Sequence, residues 1–164
     1  MPYKFCYCCG KRFELSIKEF RDVFLMPYFC SRDCTFFWIR THSFPAVAPD
    51  YPEGFLDRPD EAYSSKLGMF FRSQFELCFA EACSAEGIAF LYERYQFPVK
   101  SGAFYTPDFY FLVYDCFIEV KGKWGTSQKS KMKSFMQTYH SVEIGLVPWH
   151  LRHEFGHSDG AEIQ

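Results

Sequence analysis

Long apolar runs are missing from this 164-residue chain: nothing approaches the roughly eighteen residues that a membrane-spanning helix requires. The opening MPYKFCYCCG also lacks the apolar centre of a secretory leader, so a cytoplasmic, reducing setting with no membrane partner is expected. An excess of one charge is missing too. Lys and Arg number 18 against 20 Asp and Glu, for a formal charge of −2, which withholds the overall basic character typical of nucleic-acid binders. Internal repeats and low-complexity tracts are absent, which excludes solenoid and disordered classes. One local absence stands out. No acid lies between Glu119 and Glu143, where Lys121, Lys123, Lys129, Lys131 and Lys133 fall. Such a run is either a solvated helix face or a track for a polyanion.

What the chain has in abundance is aromatic and apolar side chains, 21% and 48% of residues, enough for a packed core. Five of its eight cysteines crowd into the first 34 residues, in FCYCCGKRF and YFCSRDC. A disulfide pair or plain buried thiols would also account for them. A block too small for its own core is better served by metal, and Cys6, Cys9, Cys30 and Cys34 would close a tetrahedral structural zinc site. Cys8 is a competing ligand. The C-x-x-C-G-K pair followed by a second pair at a helix entrance resembles a treble-clef zinc knuckle of the MYM/TRASH type, with TFFWI packed on it as helix. The block offers Lys11, Arg12, Lys18, Arg21 and Arg32 for a DNA grip, or else serves as a dimer or partner surface. Cys78, Cys83 and Cys116 read as core residues.

Composition then divides the chain into a zinc-binding module at 1–43, a Pro- and acid-rich linker at 44–64, a core at 65–150 and a polar tail at 151–164. Within the core, residues 65–87 carry apolar residues at helical spacing and end on Gly87, which predicts an amphipathic helix. IAFLYERYQFPV, TPDFYFLVY and CFIEVKG read as strands, TSQKSKMKSFMQTYH as a helix and SVEIGLV as a last strand. The order is αβββαβ, an α/β fold.

The central hairpin is nearly all aromatic or aliphatic, yet it holds Asp108, Glu119 and Lys121. Glu119 and Lys121 lie two apart and so share a face. A two-residue turn at Tyr114 and Asp115 would pair Asp108 with Lys121 and Tyr110 with Glu119, bringing the polar groups to one patch. A structural ion pair explains one acid and leaves the other uncompensated. Two close carboxylates ask for a divalent cation instead.

PD at 107–108, followed after ten residues by EVK at 119–121, resembles the signature of the PD-(D/E)xK nuclease superfamily. RSQFE on the preceding helix is similar to a segment of its phage-type and Holliday-junction-resolving members. The resemblance covers roughly residues 65–148 and implies a restriction-endonuclease-like core with a mixed central sheet. It implies Glu76, Asp108, Glu119 and Lys121 as catalytic residues. Magnesium or manganese would be held by Asp108, Glu119, Glu76 and the Val120 carbonyl. It further implies DNA, branched or duplex, as substrate, contacts from Lys123, Lys129, Lys131 and Lys133, and a homodimer. Cleavage of linear DNA in the manner of restriction or transposase-associated nucleases, and a catalytically silent DNA-binding zinc protein, are the alternatives. Glu81 and Glu86 on the same helix compete with Glu76, Arg72 could pair with Glu76 or meet phosphate, and Trp124 could stack on a base or anchor the second helix. HEFGH, at 153–157, matches the zinc-protease pattern, but Gly156 and the short remainder read as tail.

Overall fold

CFIEVK, residues 116–121, is buried along almost its whole length, as befits a strand with neighbours on both sides and layers on both faces. It is one of the two inner strands of the main sheet in a computed structural model that describes residues 3–14, 28–41, 52, 62–122 and 125–157. In chain order the elements are β1 (Tyr3–Phe5), β2 (Arg12–Glu14), α1 (Arg32–Arg40), β3 (Ala62–Ser64), β4 (Met69–Phe71), α2 (Gln74–Ala85), β5 (Leu91–Tyr92), β6 (Phe97–Pro98), β7 (Phe104–Tyr105), β8 (Phe109–Phe111), β9 (Cys116–Lys121), α3 (Thr126–Thr138), β10 (Ile144–Pro148) and a 3₁₀ turn (Trp149–Phe155). The main sheet has the order β10-β9-β8-β5. β8 is antiparallel to β9 and to β5, whereas β10 returns through α3 to lie parallel to β9, so the sheet is mixed.

Strand alternation sorts the core into two layers. Phe109, Phe111, Cys116, Ile118 and Val120 join Phe75 and Phe79 of α2 and Phe36 and Ile39 of α1 on one face. Tyr110 and Phe117 join Phe97, Met132 and Phe135 on the other, against α3. The fold is therefore mixed α/β, with helices on both sides of a mixed sheet.

Several elements depart from the sequence expectations, each for a local reason. The predicted helix over 65–87 begins only at Gln74. Ahead of it, β3 and β4 form a hairpin whose turn places Gly68 at φ 67, and the Gly68 N–H donates to the Ser64 carbonyl at 2.8 Å. Ser73 then caps α2, its hydroxyl accepting from the Glu76 N–H. The apolar residues at 67, 70 and 71 thus belong to the hairpin. The strand expected over 88–99 is split into β5 and β6, with Glu93 at φ 45 just after β5. The β8–β9 turn spans four residues, 112–115, with Asp115 at φ 47. Phe109 consequently faces Ile118 and Tyr110 faces Phe117, two residues from the expected register, and continuing that register sets Asp108 level with Glu119. A shift of two keeps every side chain on its face.

The cysteine block is built into this core at its C-terminal half. Tyr28 forms a parallel bridge to Leu146, Phe29 is fully buried, and the ring of Phe36 meets that of Phe155 edge-on. The 3₁₀ turn buries Leu151 and Phe155, so this stretch is part of the core rather than a polar tail. Of the expected linker, residues 44–51 and 53–61 lie outside the described residues, and its end forms β3. Among the described residues no helix is long and apolar enough to cross a membrane.

Gly145 in β10 tests how tightly the block is seated. A Cβ there would lie 3.0 Å from Phe29 Cζ and 3.1 Å from Ile118 Cδ1, both on fully buried side chains. Gly145→Ala is expected to lose about 1–3 kcal/mol of stability, read as a lower urea midpoint with an unchanged slope.

Candidate functional site

Two clusters of chemistry-bearing side chains emerge. The first is sulfur. In the β1–β2 knuckle the Cys6 N–H donates to the Lys11 carbonyl and the Gly10 N–H to the Cys6 carbonyl, a turn that needs Gly10 at φ 69. This returns Cys6 and Cys9 towards Cys30 and Cys34. Cys34 sits in the first turn of α1, where its N–H donates to the capping Ser31 hydroxyl. The sulfur atoms of Cys6, Cys9, Cys30 and Cys34 all lie within 4.8 Å of one another. Cys9 and Cys30 sulfurs are 3.5 Å apart, and those of Cys30 and Cys34 are 3.7 Å apart. A tetrahedral zinc with bonds of about 2.3 Å sets its sulfurs about 3.8 Å apart, so the donor set fits that ion.

Burial alone would raise the Cys6 thiol, but the backbone groups of Cys9, Cys30 and Cys8 bring it down to about 7, towards the ligating thiolate. Burial, with the neighbouring sulfurs, pushes Cys30 up to about 12, a repulsion that a cation would relieve. Cys8 stands apart. Its thiol donates to the Cys34 carbonyl at 3.1 Å, and burial with nearby thiolates pushes it up to about 11. Of the two competing thiols, it is Cys9 whose sulfur gathers with those of Cys6, Cys30 and Cys34.

The second cluster is acidic and lies where β9, β8 and α2 meet. Glu119 is 1% exposed; its Oε1 is 2.5 Å from Lys121 Nζ and its Oε2 accepts from the Tyr105 hydroxyl at 2.8 Å. Asp108, also buried, accepts from the Val120 N–H at 2.7 Å. Glu76 comes from the first turn of α2 and accepts from the Ser73 hydroxyl at 2.7 Å and the Tyr92 hydroxyl at 2.5 Å. Burial, then the Glu119 charge, pushes the Asp108 carboxyl well above the usual carboxylate range. Burial likewise raises Glu76, against the pull of the Tyr92 and Ser73 hydroxyls and Lys121. For Lys121, burial works against the charge, yet Glu119, Asp108 and Glu76 hold it above its ordinary value.

The other acids of α2 turn elsewhere. Glu81 takes the Ser64 hydroxyl and Lys66, and Glu86, just past the helix end, takes Arg32 and Arg40. Arg72 does not pair with Glu76 four residues on; its Nε meets both oxygens of Glu93, at 2.7 and 3.0 Å. Burial raises Glu93, as do the charges of Glu76 and Glu119, so a fourth acid faces the group. Glu93, Tyr92 and Tyr105 were not singled out in the sequence. The one local sign was the position of Tyr105 three residues before Asp108 in YTPD.

Not everything converges. Among the described residues, the cysteines form the one group of three or more ligating side chains gathered at that spacing; each carboxylate is instead engaged by its own partners. Lys129 and Lys131 are half-buried and Lys133 exposed on α3, while Lys123 and Trp124 lie outside the described residues. Lys18 and Arg21 are likewise outside them. HEFGH assembles no protease site. Glu154 accepts from the Arg32 N–H at the start of α1, His153 Nδ1 lies 2.9 Å from the His157 carbonyl, and the His157 ring packs on Trp149. Comparison with protein-family models, characterised proteins and solved structures finds no match.

Two expectations follow from these geometries. Elemental analysis should find about one zinc per chain, kept by Cys8→Ser and lost by Cys30→Ser, with chelation lowering the melting temperature. Asp108→Asn should raise stability, since an amide still accepts from the Val120 N–H without a buried charge. A carboxyl whose folded pKa is raised loses stability as pH climbs from its unfolded value, about 4, towards the folded one. The gain should therefore be larger at pH 8 than at pH 5 in urea melts at the two pH values.

Proposed function

We propose that the chain is a metal-dependent DNA endonuclease of the PD-(D/E)xK type. The observation that carries this reading is the meeting of Asp108, Glu119 and Lys121 from adjacent strands with Glu76 from the preceding helix. The order α2, β5, β8, β9, α3, β10, with β10 parallel to β9, also agrees with the αβββαβ, restriction-endonuclease-like core that the motif implies.

We infer a divalent cation, magnesium or manganese, for these acids, whose oxygens are not already gathered at ligand spacing as the cysteine sulfurs are. Hydroxyl and amide donors orient Asp108 and Glu76, and Lys121 draws both carboxyls down, yet burial and the Glu119 charge still hold them raised. Glu76, Asp108, Glu119 and the Val120 carbonyl would hold the ion, which supplies an activated water and charge for phosphate oxygens. Lys121 stabilises negative charge developing on the phosphate. Tyr105 and Tyr92 fix the orientation of Glu119 and Glu76, as outer partners of metal ligands commonly do. Lys129, Lys131 and Lys133 on α3, with Lys123 before it, supply backbone contacts, and the zinc-bound knuckle braces α1 against the core. Two copies would cut the two strands of branched DNA.

The test is cleavage of a labelled four-way junction beside a linear duplex of the same sequence. With Mg²⁺, the wild type should make paired cuts at the junction, and Glu119→Gln should lower the rate by about a hundredfold or more. Equal cutting of both substrates keeps the nuclease and removes the junction preference. A wild type inert on both, with Mn²⁺ also tried, would sink the proposal.

A further inference from the structure

Arg72 opens the RSQFE segment, but its partner Glu93 lies outside the motif, and their arrangement is unusual. Glu93 has φ 45, a left-handed conformation that costs a residue with a Cβ on the order of 1 kcal/mol and that Gly or Asn would adopt more easily. Its N–H donates to the Asp108 carbonyl at 2.8 Å, which ties the end of β5 to the loop bearing the catalytic aspartate. Its side chain is only 9% exposed, whereas that of Arg72 is 44% exposed. The acid is thus inside and the guanidinium at the mouth. Arg72 is held from a second direction, its N–H donating to the Tyr92 hydroxyl that itself donates to Glu76. One chain of contacts therefore runs from the mouth, through Tyr92, to a proposed metal ligand.

A carboxylate and a phosphodiester present the same pair of oxygens to a guanidinium. Arg72 also feels the charge of Glu76, so its guanidinium lies within electrostatic reach of the acidic cluster. The geometry points to Arg72 as a phosphate-binding residue at the mouth of the acidic site, and to Glu93 as a positioning residue that occupies its guanidinium until a nucleic-acid phosphate displaces the carboxylate. This rests on the nuclease reading for its substrate, a DNA phosphodiester. It goes beyond that reading in assigning Glu93, a residue outside the motif, and a competition for Arg72 between protein acid and substrate phosphate.

The competition predicts opposite signs for the two partners. Binding of a fluorescein-labelled 20-base-pair duplex by the full-length, zinc-loaded protein is followed by anisotropy in EDTA, and cleavage is followed separately in Mg²⁺. Arg72→Ala should weaken binding about tenfold and lower the salt slope by about one. Arg72→Lys should recover only part, since an ammonium cannot present the fork. Glu93→Gln should tighten binding severalfold and lower KM, an effect that a merely structural Glu93 would not produce. Melting temperatures identify variants that fail to fold, and Arg72→Lys then carries the test. Equal affinities for wild type and both Arg72 variants, weaker binding by folded Glu93→Gln, or no duplex binding by the wild type would overturn the proposal. The expected binding pattern without any cleavage would keep Arg72 as a phosphate contact and sink the nuclease reading alone.

Discussion

The ion pair of Lys121 with Glu119 sits in an inner strand of the main sheet, and much of the surrounding structure exists to make that burial tolerable. A buried pair loses its hydration, and its mutual attraction compensates only when the remaining lone pairs find donors. Glu119 finds its second donor in Tyr105, which requires β7 to pack over this end of the sheet. Asp108 finds the Val120 N–H. Each polar group at the site thus specifies the position of another element. Removing one partner would leave a buried charge exposed to the full desolvation cost, several kcal/mol.

The aromatic layers supply what the polar cluster takes away. Phe109 contacts the rings of Phe71, Phe79, Phe90 and Tyr92, while Phe117 contacts Tyr95, Phe97 and Tyr110 on the opposite face. Rings meeting edge-on add specificity to burial, because the quadrupoles favour that geometry over a loose pile. The cysteine block extends the same logic. Its described residues could not bury a core alone, and Phe29, Phe36 and Ile39 instead complete the layer over α2. Metal at the knuckle would fix β1–β2 to the start of α1, and Tyr28, bridged to Leu146 and accepting from the Tyr7 N–H, carries that fixation into β10.

Strong periodic segments were legible in the amino-acid order. TSQKSKMKSFMQT and CFIEVK form α3 and β9 close to where periodicity sets them, because nothing local competes. Residues 65–73 misled because Leu67, Phe70 and Phe71 happen to fall at helical spacing while Gly68 and the cap at Ser73 belong to a turn and a helix start. The register of β8 against β9 was missed by two because the turn length was not encoded by a turn dipeptide; the pleat's period of two preserved the faces. Chemistry at the site was legible where it lay close in sequence, as with Asp108, Glu119 and Lys121. The partners that set its electrostatics, Tyr92, Glu93 and Tyr105, are brought in by tertiary structure, which no short spacing signals.

Why acids should persist here at all can be weighed by charge. Lys121 with Glu119 and Arg72 with Glu93 would each be satisfied as structural pairs. Asp108 and Glu76 would not, for their hydrogen bonds come from an amide and two hydroxyls, which orient a carboxylate without neutralising it. An amide side chain at either position, still able to accept those bonds, would fold more easily. Two buried acids whose charge repels that of Glu119 are a stability cost that their hydrogen bonds do not require, since a neutral acceptor could take the same donors, and the strained backbone at Glu93 adds to it. A cation binding among them would convert that repulsion into affinity, because the carboxylates are already oriented and largely stripped of water before the ion arrives.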